Sequence, residues 1–158
     1  MKTLQTTGLN AEGAKEVTKL LNELLSNFQI LYMNLRGFHW NIKGRRFFML
    51  HEKFEELYKD TSEKSDAIAE RVLTLDAIPY HSFNDYLKHS EINVVENVSD
   101  GDTAVDHLIK SYSLLLGKER IILKNASKNN DEATVAMMSD FIGEQETLLW
   151  MLKAYLSN

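Results

Sequence analysis

Apolar residues recur at three- and four-residue steps through four long stretches of the chain, as expected of helices that each bury one face. In the first, about Ala11 to His39, the stripe is Val17, Leu20, Leu21, Leu24, Phe28, Leu31 and Leu35, and the turn Asn41-Ile42-Lys43-Gly44 ends it. The second, about Arg46 to Leu75, carries Leu50, Phe54, Leu57, Thr61, Ile68, Val72 and Leu75. From Asp76 to Ser99 the periodicity breaks. Pro79 stops helix propagation there, and only Phe83 to His89 is suited to a short helix. The third long helix starts after Ser99 with Asp100 or Asp102 as N-cap, and runs to about Ala126 through Ala104, Leu108, Leu115 and Ile122. After the turn Asn129-Asn130-Asp131, the fourth, about Glu132 to Leu156, buries Val135, Met138, Ile142, Leu149, Leu152 and Tyr155.

Two helices, a long crossover and two more helices predict an all-α, ferritin-like four-helix bundle, with the short helix in the crossover between helices two and three. A single proline and seven glycines suit long uninterrupted helices. The length of 158 residues suits one domain over residues 1–158, with 1–10 as a short N-terminal tail. A metal site inside such a bundle needs Glu-x-x-His pairs on two helices, and none of the five histidines has a Glu three residues before it.

Composition narrows the function classes. Apolar content of 44% and charged content of 26% are those of a soluble globular protein, and no stretch approaches a membrane span. The start, MKTLQTTGLN, lacks the apolar core of a signal peptide, so a cytoplasmic location is expected. Without cysteine there are no disulfides, no thiol catalysis and no thiolate metal sites. A net charge of −5 argues against a broad nucleic-acid footprint and makes metal cations the more natural partners.

The candidate chemistry lies on the second helix. His51, Glu55, Asp66 and Glu70 are all metal-ligand types, and the midpoints of the pairs 51/70 and 55/66 both fall between residues 60 and 61. At about 100° per residue the four share an arc of roughly 100°, bordering the apolar stripe. His51 and Asp66 stand roughly 22 Å apart along a continuous helix, too far to share one metal within a chain. Two copies crossing antiparallel on a two-fold axis near residues 60 and 61 would bring His51 and Glu55 of one against Glu70 and Asp66 of the other, making two equal sites. Ser62 and Ala69 on the same arc let a partner helix come close. Pattern alone supports an ordinary solvated acidic face equally well. Imidazole with carboxylate suits iron, manganese or zinc, and the excess of carboxylate favours iron.

The residues Phe38-His39-Trp40, then His51-Glu52-Lys53-Phe54-Glu55, then Asp66 with Glu70-Arg71 resemble the Dps-type mini-ferritins, and the likeness spans nearly the whole chain. The resemblance implies a hollow dodecamer that oxidises Fe(II), typically with hydrogen peroxide, and stores Fe(III) mineral inside. It implies a ferroxidase site between two-fold-related subunits, with His39, His51 and Glu55 from one and Asp66 and Glu70 from the other; on the ligand chemistry alone, zinc or manganese could take the place of iron there. Three departures stand out. Glu55 replaces the Asp of many members, which should weaken or shift the second iron position. The Gly-Gly usual after Glu70-Arg71 is replaced by Asp76-Ala77-Ile78-Pro79. The basic N-terminal tail used for DNA is reduced to Lys2 ahead of Lys15, which argues against direct DNA binding.

Lesser features carry two readings each. Trp40 and Tyr58 are interface packing or sinks for stray oxidising equivalents. Glu52, Glu56, Asp60 and Glu63 form a second acidic stripe, either solvated and balanced by Lys53, Lys59 and Lys64 or lining a mineral cavity. Asp131 and Glu132 suit helix capping before an acidic pore. His81, His89 and His107 show no ligand spacing. Against the ferroxidase stand a DNA-compacting assembly, revealed by a salt-sensitive mobility shift, and an inert helical assembly without metal-dependent peroxide consumption.

Overall fold

The structure, a computed structural model, describes residues 3–157. In chain order its helices are α1 (Thr3–Thr7), α2 (Ala11–Asn41), α3 (Phe47–Thr74), α4 (Phe83–His89), α5 (Gly101–Lys128) and α6 (Glu132–Leu156), with no strand among the described residues. The four long helices are those the apolar periodicity predicts, and α4 and α6 have the expected limits. Asp100 rather than Asp102 caps α5, its carboxylate accepting from the Thr103 amide at 2.8 Å. Helix α1 falls in the expected tail. It is tied down by the amides of Thr3 and Leu4, which both donate to the Asp76 carboxylate at 2.9 Å. Lys2, the basic residue counted ahead of Lys15, lies outside the described residues.

The core closes where the stripes meet. Leu21, Leu24, Phe28, Leu31 and Leu35 of α2 face Phe54, Ile68 and Val72 of α3, Leu108, Leu115 and Ile122 of α5, and Met138 of α6, all essentially without solvent exposure. Each such side chain contributes about 1.5–3 kcal/mol on burial, so together they outweigh any single polar contact described below. Thr61, counted with the apolar stripe, is fully buried because its hydroxyl donates to the Leu57 carbonyl at 2.7 Å.

Helix ends are specified by short polar side chains. Asn10 accepts from the amides of Glu12 and Gly13, and Ser82 accepts from Asp85. At the end of α3, Asp76 adopts φ +57°, its amide donating to Leu73 and that of Ala77 to Val72, so the helix stops before Pro79 is reached. Asp131 is buried at the start of α6. Its carboxylate accepts from the Thr134 amide and from Arg71 at 2.5 Å, joining the end of α3 to the start of α6. Capping, the safer sequence reading of Asp131, is its observed role.

Three buried asparagines of α2 hold the crossover. Asn22 donates to the Ile78 carbonyl and accepts from the Tyr80 amide; Asn34 does the same for Asn93 and Val95. Asn27 Oδ1 accepts from the amides of Glu91 and Ile92 at 2.9 and 3.0 Å. A primary amide pairs with peptide groups as a strand would, so a connection with little regular structure keeps buried backbone satisfied.

Candidate metal-binding site

The turn after α2 reverses the chain so that the last turn of α2 lies against the first turns of α3. His39 Nδ1 donates to the backbone carbonyl of His51 at 2.8 Å, and His51 Nδ1 donates to that of His39 at 2.8 Å. A carbonyl only accepts, so each ring carries a proton on Nδ1. In the neutral imidazole the lone pair is then on Nε2, which leaves that atom able to accept a hydrogen bond or a metal ion. The rings stack with centroids 3.8 Å apart. Phe47 stacks on His51 at 5.0 Å and Tyr58 meets His39 edge-on at 5.4 Å. Hydrogen bond and packing together fix both tautomer and orientation, as the outer shell of a metal site does.

Glu55 follows His51 by one helical turn. Its Oε1 accepts from Lys59 Nζ at 2.5 Å. That bond and the ammonium charge hold the Glu55 carboxyl below its usual value; partial burial opposes the shift, and the charges of His39 and His51 add to it. The same pairing raises Lys59.

Asp66 and Glu70 lie further along the same face of α3, both exposed, and the chain does not bring them to the histidines. Asp66 borders a cleft of about 260 Å³ with Gln29, Ser62, Ala69 and Tyr86. Tyr86 also borders an apolar groove of about 410 Å³, where Met33, Phe83, Leu87 and Val94 stand more than half exposed. Among the described residues of one chain, no group of three or more His, Asp or Glu is placed to hold a metal ion. The five candidate residues thus fall in two separate places in one chain: His39 at the end of α2 with His51 and Glu55 near the start of α3, and Asp66 and Glu70 further along α3.

The surroundings sort the lesser candidates. Trp40 is 56% exposed beneath the Arg36 guanidinium, which stands 4.7 Å from its ring centroid. Tyr58 packs between His39 and Tyr32. On the second acidic stripe Glu56 pairs with Lys53 and Asp60 with Lys64, while Glu52 and Glu63 are exposed. His89 stacks on Tyr80 at 4.6 Å.

Sequence reasoning missed two polar groups. Lys59 was counted only as balancing charge, although its place one turn after Glu55 is visible in the spacing. Inside the bundle, Gln145 donates to Glu119 Oε1 at 2.5 Å, both side chains fully or nearly buried, and Glu119 Oε2 has no partner among the described residues. Burial pushes the Glu119 carboxyl up to about 7. No motif announced this pair, because a single Glu and a single Gln in amphipathic helices look like surface residues.

A family profile described as "Ferritin-like domain" matches residues 18–158. A "DNA protection during starvation protein" of Porphyromonas gingivalis is 40% identical over 98% of this chain and 97% of its own length. The crystal structure of a Dps protein from Vibrio cholerae, described as a member of a superfamily of ferritin-like diiron-carboxylate proteins, superposes with a TM-score of 0.93 at 48% identity, covering 94% of each chain. That of a Dps protein from Bacillus brevis superposes with a TM-score of 0.90 at 33% identity, over 94% of this chain and all of the other.

Proposed function

The chain belongs to the ferritin-like family, among its Dps-type members, and on that premise we propose that it is an iron-storing ferroxidase whose sites form between two subunits. One observation carries the reading. His39 and His51 are locked with both Nε2 atoms available beside Glu55, while Asp66 and Glu70 stand further along the same helix at the positions that an antiparallel crossing on a two-fold axis would set opposite Glu55 and His51 of a second copy. The exposed apolar groove of Met33, Phe83, Leu87 and Val94, which meets the Asp66 cleft at Tyr86, supports the seating of a second copy there. No helix among the described residues is long and apolar enough to cross a membrane.

In the reaction two Fe(II) each give one electron to hydrogen peroxide. The O–O bond breaks as it takes both electrons and two protons, and the products are two Fe(III) and two waters, with no hydroxyl radical released. The carboxylates of Glu55, Asp66 and Glu70 favour the more highly charged Fe(III), because hard anionic oxygen suits it better than Fe(II). The histidines hold the metal without adding charge. Fe(III) is then stored as mineral inside a hollow oligomer, a dodecamer in this reading. The name carried by the relatives, DNA protection during starvation protein, fits protection by removal of iron and peroxide.

The test is anaerobic loading with Fe(II) followed by peroxide, monitored by near-ultraviolet absorbance. Fast oxidation in the native protein that collapses in the double change Asp66→Ala, Glu70→Ala is the expected result. Equal and slow oxidation in both proteins sinks the reading.

A further inference from the structure

Lys59 is the only lysine or arginine on the ligand-bearing face of α3. His51, Glu55, Lys59, Ser62, Asp66 and Glu70 share an arc of roughly 100°, whereas Lys53, Lys64 and Arg71 lie on the other side of the helix. Its ammonium is bound to Glu55 Oε1 at 2.5 Å. In a single chain the Lys59 and Glu55 side chains are 61% and 39% exposed, and such a pair contributes little by itself.

The two-fold relation changes its weight. In the antiparallel crossing that sets residue 55 of one copy opposite residue 66 of the other, position 59 faces position 62. Ser62 is small and exposed, which leaves room for the lysine stem. Asp66 of the partner subunit then adds a second carboxylate beside Glu55. Closing the interface removes water, and attraction between opposite charges strengthens as it leaves. An ammonium set between two carboxylates stands where a second divalent cation would otherwise bind.

We propose that Lys59 is a tethered counter-ion occupying the second cation position, so that each resting site retains one metal on the histidine side and admits another only by displacing the ammonium. This rests on the inter-subunit reading of the site. It assigns Lys59 a specificity role: a second metal ion enters in proportion to how well it competes with a fixed single charge. Glu55, one methylene longer than Asp, is the carboxylate that reaches back to Lys59.

Titration of the metal-free, full-length protein with Co(II) alone, followed by heat and by visible absorption of bound cobalt, tests this. The native protein should saturate at one Co(II) per chain. Lys59→Gln should take a second, with an affinity about tenfold or more above any second step of the native protein, and Lys59→Arg should restore native stoichiometry. Sedimentation velocity checks assembly, and Lys59→Met replaces Lys59→Gln if that variant does not assemble. Equal stoichiometry and affinity in the native and Lys59→Gln proteins overturns the inference and leaves the shared site standing. If His51→Ala and Asp66→Ala leave the first Co(II) unmoved, the shared-site reading fails and the inference goes with it.

Discussion

His39 and His51 each donate Nδ1–H to the other's backbone carbonyl at 2.8 Å, so two side chains twelve residues apart specify one another's tautomer. The pair also welds the end of α2 to the start of α3, which gives it a structural consequence separate from metal.

Replacing either histidine with Ala removes one of the two bonds joining the end of α2 to the start of α3 and should lower the stability of the metal-free protein by about 0.5–1.5 kcal/mol, more for His51→Ala, because the His39 carbonyl lies past the last helical donor while that of His51 keeps its helix partner. Urea unfolding of metal-free His39→Ala and His51→Ala measures it. Midpoints unchanged from native would mean that the reciprocal bonds do not hold the turn.

Asn27→Ala should loosen the crossover without disturbing the bundle. The amides of Glu91 and Ile92 would lose their common acceptor, at a cost of about 1–3 kcal/mol. Hydrogen exchange should show lost protection at those two amides and unchanged protection in α5 and α6. Loss spread evenly over the chain would contradict a local clamp.

Glu119 makes stability depend on pH in a stated direction. Burial lifts its carboxyl from 4.5 to about 7, so the folded state binds the proton more tightly than the unfolded chain does. Its stabilising contribution is complete below pH 4.5 and is lost as pH rises through about 7. Glu119→Gln keeps a polar partner for Gln145 but cannot ionise. The variant should match native stability near pH 4.5 and exceed it at pH 8, and parallel stability curves for the two proteins would refute the assignment.

The bundle was legible in the sequence because its signals are local and redundant. Stripes such as Leu21, Leu24, Phe28 and Leu31 recur at helical spacing, and caps such as Asp100 and Ser82 stand where the stripes begin. The candidate ligands were legible for a different reason: the symmetry of 51, 55, 66 and 70 survives without knowledge of any contact. What stayed hidden depends on partners distant in sequence. Asn22, Asn27 and Asn34 read as ordinary polar positions until the crossover folds over them. Glu119 and Gln145 are 26 residues apart, and neither carries a motif. The reciprocal bond between His39 and His51 needs the geometry of a turn, which residue types alone do not specify.

The central claim, that each site is shared by two chains, is tested most directly by mixing two inactive variants. One carries His39→Ala and His51→Ala, the other Asp66→Ala and Glu70→Ala. In a mixed dimer one site loses every altered ligand and the other keeps all the native ones. After unfolding and joint refolding, random pairing should return about one quarter of the native rate of peroxide-dependent Fe(II) oxidation, while each variant refolded alone stays inactive. A mixture that assembles fully and remains as inactive as its parents would contradict the shared site.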